Sequence, residues 1–285
     1  MPMIQSRETD REEDAVQTFT KTDRGGRASL EGEAAALRWL AEAEADGGLH
    51  VAVVVSASST ELVEERIAAG RATVDAARRA GAALAHTHAA GAPWWGSPPS
   101  GWSGDYRLDH SLTPTVNEGD APSTWGVFYA EHRVMNYVRT LRDEGSYGSS
   151  EVAVFERLAS RLVAGSFDAP QPTLLQERGL EVARLHGDLW AGNLLWDSNP
   201  NNVTGAALID PMAVGGHAET DLAMLDLFGC SHLDELLRGY ESESKLADGW
   251  RERVGLHQVA PLLLHCVLFG GHYLGAALQV ARRYL

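Results

Sequence analysis

The spacing of apolar residues changes period several times along the chain, and each change marks an element. Met1–Asp14 is polar, dense in both charge signs and expected to fray. Val16–Lys21 alternates and predicts a short strand ending on Lys21. A turn at Asp23–Gly26 leads to Ser29 in a capping position, after which Leu30, Ala34, Leu37 and Leu40 share one helical face. Val51–Val55 is a continuous apolar run and predicts a buried strand, and Glu61–Ile67 predicts another. From Arg71 an alanine-rich helix puts Val74, Ala77, Gly81, Leu84 and His88 on one face. Ala92–Gly104 holds three tryptophans among Pro, Gly and Ser, which predicts an ordered loop because exposing that much aromatic surface is costly. Trp125–Tyr129 opens a second aromatic cluster leading into a helix predicted through Arg139, and Glu151–Val163 predicts an amphipathic helix. Strands follow at Leu180–Leu185, at Leu194–Trp196 and, after a turn at Asp197–Gly205, at Leu208–Ile209 leading into Asp210. Val259–Ala281 is apolar enough to suggest a membrane span, but Pro261, His265, Gly270, Gly271 and His272 favour a broken pair of buried helices.

This pattern brings Asp188, Asn193 and Asp210 to strand ends on one rim. Phosphoryl transfer needs such a set: a carboxylate to accept the proton of an attacking hydroxyl, and an amide oxygen plus a second carboxylate to hold magnesium on the nucleotide phosphates. The interval from Asp188 to Asn193 equals that of the protein-kinase catalytic loop. A surface hairpin with polar ends is the plain alternative, and it leaves that spacing unexplained. Lys21 at a strand end and Glu33 in the following helix resemble the pair that pins nucleotide phosphates in kinases. The plain alternative there is a solvated lysine and a glutamate favouring a helix dipole. His86 and His88 are two apart, do not share a helix face and make a poor metal pair.

Composition narrows the choice. At 285 residues the chain is long enough for two lobes, and its net charge of −15 argues against a nucleic-acid partner. Two cysteines, Cys230 and Cys266, do not make a disulfide framework and fit a reducing compartment. No signal peptide is read at the start, so a cytoplasmic location is expected. Lysine occurs only at 21 and 245 in a chain that otherwise uses arginine, which singles out Lys21.

With these residues in view, the chain resembles the fructosamine-3-kinase, or ketosamine kinase, family, whose fold is the aminoglycoside-phosphotransferase version of the protein-kinase fold. The resemblance rests on His186-Gly187-Asp188-Leu189-Trp190-Ala191-Gly192-Asn193, on Ile209-Asp210-Pro211 and on Gly216-His217-Ala218-Glu219-Thr220-Asp221-Leu222-Ala223-Met224. Leu84–His88, Trp125–Tyr129, Phe19–Lys21 and Glu33-Ala34 support it. It implies an α+β, two-lobed fold, with a β-rich N-lobe over residues 1–68 and a mainly helical C-lobe over 69–285. It implies ATP and Mg2+ as cofactors, with Asp188 as base, Asn193 and Asp210 as metal ligands, and Lys21, Glu33 and Glu65 on the nucleotide. Trp190 and His217 would face the substrate, and Asp221 would brace the catalytic loop. The expected acceptor is a free or protein-linked ketosamine, and the expected assembly a monomer with no nucleic-acid or membrane partner. An aminoglycoside or amino-alcohol kinase, or a ligand-binding pseudokinase, are the alternatives. One departure stands out: the family's phosphate loop contains glycine, and Met1–Thr20 has none. A glycine-free turn, or a start further upstream, would account for it.

Overall fold

In the computed structural model, which describes residues 17–285, β1 (Thr18–Thr22) sets the frame for the first lobe. The expectations for Met1–Asp14 and for Val16 lie outside the described residues. Helix α1 (Leu30–Ala41) follows, then β2 (His50–Val51), β3 (Val54–Ala57) and β4 (Glu61–Glu65). The sheet order is β1-β4-β3, all antiparallel, with Lys21 opposite Leu62 and Phe19 opposite Glu64. The capping role expected of Ser29 is not taken up, since its side chain makes no cap hydrogen bond. Its hydroxyl instead donates to Asp105 O (3.1 Å) and accepts from Arg107 N (2.8 Å), stapling the start of α1 to the second lobe.

The buried strand expected over Val51–Val55 is two strands. Val51 and Ala52 are in the core, but the chain breaks pairing there and Val53 and Val55 are 55% and 56% exposed. The sheet has an uncovered face, so a continuous apolar run does not mean burial on both sides.

The second lobe begins with α2 (Val74–Ala89), whose Thr73 side chain accepts from Ala76 N as a true N-cap. A hairpin, β5 (Tyr106–Leu108) and β6 (Ser111–Thr113), follows where sequence periodicity gave no strand signal. Next come α3 (Trp125–Tyr129), a π-helical turn over Ala130–Val134, and α4 (Met135–Asp143). Helices α5 (Ser149–Val163) and α6 (Thr173–Glu177) lead to β7 (Ala183–Leu185). Strands β8 (Leu194–Trp196) and β9 (Ala206–Leu208) form the hairpin that flanks the motif, and β10 (Val214–Gly216) pairs back onto β7. Helices α7 (Glu219–Leu227), α8 (Leu233–Glu243), α9 (Trp250–Phe269) and α10 (His272–Arg282) complete the chain.

Two apolar cores organise these elements. One lies among α3, α4, α5, α9 and α10. The other joins Leu30, Leu37, Leu40 and Leu62 of the first lobe to Leu84, Leu189, Leu194, Leu208 and Tyr240 of the second. The motif hairpin is therefore anchored in a core that crosses residue 68, which couples its position to α1. The Val259–Ala281 stretch is split at Gly270 and Gly271, both with positive φ, into the packed pair α9 and α10. Among the described residues no helix is long and apolar enough to cross a membrane.

Candidate active site

The motif turn owes its shape to one glycine. Gly187 has φ +83°, and a Cβ there would lie 2.1 Å from Met212 O, so only glycine lets β7 turn into the loop this close to its neighbour. The loop is then clamped from behind. Asp221, 1% exposed, accepts from His186 N (2.7 Å), Gly187 N (3.0 Å) and His88 Nε2 (3.2 Å). His88 is held in turn by the Tyr240 hydroxyl at 2.9 Å. Burial alone would raise the Asp221 carboxyl, but these bonds and the nearby imidazoles hold it below the ordinary value. His186, also buried, bonds Ile209 O through Nε2 (2.9 Å) and accepts from Asp188 N through Nδ1 (3.2 Å). It thereby ties the motif loop to the segment carrying Asp210. His86 and His88 part company as expected, with His86 at the surface beside Glu243.

Asn193 holds Asp188 in place. Its Nδ2 donates to Asp188 O (2.8 Å) and Asp188 Oδ2 (3.1 Å), and its Oδ1 has no protein partner among the described residues. Burial, together with the Asp210 charge, pushes the Asp188 carboxyl up to about 7, although the Asn193 bond works the other way. Asp210 lies two residues past β9 with φ +55°, a left-handed conformation uncommon outside glycine but tolerated by Asp. That bend turns its carboxylate back over the cleft, where it meets Lys21.

Lys21 is the charge centre of the opposite wall. Its ammonium contacts Glu33 and Asp210 directly and Glu64 at 3.3 Å. Burial would lower it, yet the surrounding acids keep it above the ordinary lysine range. Burial lifts Glu33 to about 7 against the pull of Lys21, and lifts Glu64 as well. Three carboxylates around one ammonium leave excess negative charge, and Glu64 Oε2 is buried with no hydrogen-bond partner. This donor set, with the free Asn193 Oδ1, is all oxygen and suits a hard divalent cation such as Mg2+.

These groups line one cleft of about 660 Å3, bordered also by Trp190, Glu65 and the β5–β6 hairpin at Tyr106–Leu108. Its size suits a nucleotide and a small acceptor. Trp190 is 40% exposed, so it is not core filling. Its ring lies over Gly192, where a Cβ would come within 2.2 Å of it.

Two expected residues stand apart from the Lys21 cluster, one of them, Glu65, still on the border of the cleft. Strand alternation puts Glu64, not Glu65, on the face of Lys21; Glu65 points the other way, towards His50 at 3.5 Å. Glu64 was missed because the strand pairing that selects it is not visible in the sequence. His217 does not line the cleft. It is fully enclosed beside Trp125 and His257, accepts from Glu219 N at 3.2 Å and reaches Ala169 O at 3.3 Å. Burial drops it to about 4, so it is a neutral packing residue near neutral pH. Neighbouring Glu219 stays ionised despite burial, held at about 2 by His257 and by Arg253, which grips it at 2.6 and 2.9 Å.

Three comparisons place this geometry among known proteins. A Thermobifida fusca protein solved under the name fructosamine-3-kinase is 33% identical, covers 98% of this chain and 93% of its own, and superposes with a TM-score of 0.80. An ADP-bound aminoglycoside phosphotransferase, 12% identical, covers 100% of this chain and 96% of its own with a TM-score of 0.54, a likeness of fold alone. The expected α+β, protein-kinase-like architecture is thus confirmed. A Vibrio parahaemolyticus protein named a ketoamine kinase is 32% identical over 172 residues, 60% of this chain, and the match spans 53% of that relative's length. The fructosamine kinase family profile matches residues 5–285. The chain that folds Asp188, Asn193, Asp210 and Lys21 onto one cleft belongs to the fructosamine kinase family.

Proposed function

We propose that this protein is a cytoplasmic, monomeric kinase that transfers the γ-phosphate of ATP, with Mg2+, to a sugar hydroxyl of a ketosamine. The observation that carries the reading is the convergence of Asp188, Asn193, Asp210 and Lys21 on one cleft in a chain of this family. Asp188, steered by Asn193, takes the proton of the acceptor hydroxyl; a carboxyl poised near 7 can accept and release a proton at working pH. Lys21 exchanges part of its acid cage for the nucleotide phosphates, with Glu33 keeping it extended across the cleft. Asn193 Oδ1 and the Asp210 carboxylate would hold the metal, which when bound neutralises charge on the β- and γ-phosphates. Trp190 offers an indole face to the C–H side of the sugar. Asp221 keeps the loop in register from behind.

The test is ADP release from purified protein with ATP and Mg2+ against a panel of ketosamines and aminoglycosides. Turnover confined to ketosamines is the expected result. Turnover confined to aminoglycosides moves the activity elsewhere within the fold, and none with any acceptor, despite nucleotide binding, points to a pseudokinase.

A further inference from the structure

Beside Asp188 lies a second and smaller cavity of about 50 Å3, whose lining includes Asp188 but not Lys21. It shares Asp188 and Met212 with the main cleft, so it opens where the acceptor hydroxyl must approach the base. Its walls are mostly apolar, yet they include Arg133, whose guanidinium carbon lies 4.7 Å from the ring centroid of Phe128, another wall residue. Arg133 comes from the π-helical turn Ala130–Val134, a local widening of the helix of a kind frequent at functional sites. Its Nη1 donates to Pro114 O (2.8 Å) and His132 O (2.9 Å). Neither Nε nor Nη2 has a hydrogen-bond acceptor, and no carboxylate lies within 4.0 Å among the described residues.

That is unlike the other sheltered arginines. Arg184 has Glu42 at 3.0 Å, and Arg253 holds Glu219 through two bonds. In a chain of net charge −15 a carboxylate partner is easy to supply. Arg133 is half-buried, and a guanidinium partly withdrawn from water whose close partners are two carbonyls and a ring, with Asp105 acting only from beyond 4.0 Å, gains from an anion that completes it. Burial accordingly pulls Arg133 below the ordinary arginine range.

We propose that Arg133 is a specificity-determining residue that receives the carboxylate of the acceptor, so that the substrate is a ketose joined to the α-amino group of a free amino acid. The inference rests on the ketosamine reading above. The cavity holds about the volume of one or two waters, which fits a carboxylate and excludes a sugar or a peptide chain. An α-linked amino acid puts its carboxylate one carbon from the amine, close enough to the reacting hydroxyl to share the space around Asp188. A ketose on a lysine side chain of a protein has no free carboxylate there.

The test compares fructosyl-glycine with fructosyl-methylamine, which differ only by the carboxylate. For the wild-type protein kcat/KM should favour fructosyl-glycine on the order of ten- to a hundredfold, the range for a charge-assisted bond, and mainly through KM. In Arg133→Gln that preference should fall to about one, with fructosyl-methylamine little affected. A purely structural arginine would instead lower both substrates alike, which overturns the proposal. Equal wild-type use of the two also overturns it while leaving the ketosamine reading intact. If neither is phosphorylated, the ketosamine reading fails and this proposal goes with it. The wild-type comparison decides even if Arg133→Gln does not fold.

Discussion

Asp221→Asn probes the joint between the fold and the motif loop that carries Asp188. The carboxylate is 1% exposed and accepts two backbone N–H groups and one imidazole. Asparagine keeps the shape but only one acceptor oxygen, and its NH2 must face either His186 N or Gly187 N. One buried donor is therefore left unpaired, costing about 1–3 kcal/mol, and the surviving bonds lose their charge assistance. A total of about 3 kcal/mol is expected, or roughly 5–10 °C in Tm for a chain of this size. The pH dependence has a fixed sign. The folded carboxyl is held below its unfolded value of about 3.9, so its stabilisation is fully present above that pH and is lost as pH falls through the lower folded value. The gap between wild type and Asp221→Asn in urea midpoints should thus be constant from pH 5 to 7, to within the titration of other groups, and narrow below about pH 4. Because the clamp positions Gly187 directly before Asp188, kcat should fall as well while ATP affinity changes little. A variant within about 0.5 kcal/mol of wild type at pH 7 would refute the clamp.

Asp188→Asn should fold normally and lose about a hundred- to ten-thousandfold in kcat, the usual worth of a general base, measured by ADP release; near wild-type turnover removes Asp188 from that role. Asp210→Ala should abolish the Mg2+ dependence of ATP binding by calorimetry, whereas Asn193→Ala should only weaken it; equal wild-type affinity with and without Mg2+ contradicts the assignment. Trp190→Ala should raise KM for a ketosamine far more than for ATP. With the ring 40% exposed, Tm should change little, and an early-melting variant would return Trp190 to a structural part.

What the sequence revealed of the site follows the range of the interactions involved. Asp188 and Asn193 lie within one short loop and Asp210 only one hairpin later, so local spacing carried them. Lys21 and Glu33 were recognisable because a strand of period two is followed, after one short turn, by a helix of period three to four. Features that depend on pairing between distant strands were not. Glu64 differs from Glu65 by a single place in the strand, and only the register of β4 against β1 decides which carboxylate meets Lys21. The exposure of Val53 and Val55 likewise depends on what covers the sheet, and Arg133 on a π-helical turn that periodicity does not announce.

His217 and Asp221 show the same limit within one stretch of chain. Both belong to the segment entering α7 and both are buried, yet the resemblance assigns His217 to the substrate and Asp221 to the loop. The fold sends them in different directions. Asp221 lies in the first turn of α7, where its carboxylate meets the two amides at the end of β7. His217 precedes the helix, and its ring turns instead into the Trp125 and His257 cluster between α3 and α9. Four positions along the chain thus take a group that packs the lobe to one that shapes the motif loop. The difference lies in which backbone donors and aromatic rings each side chain finds on arrival.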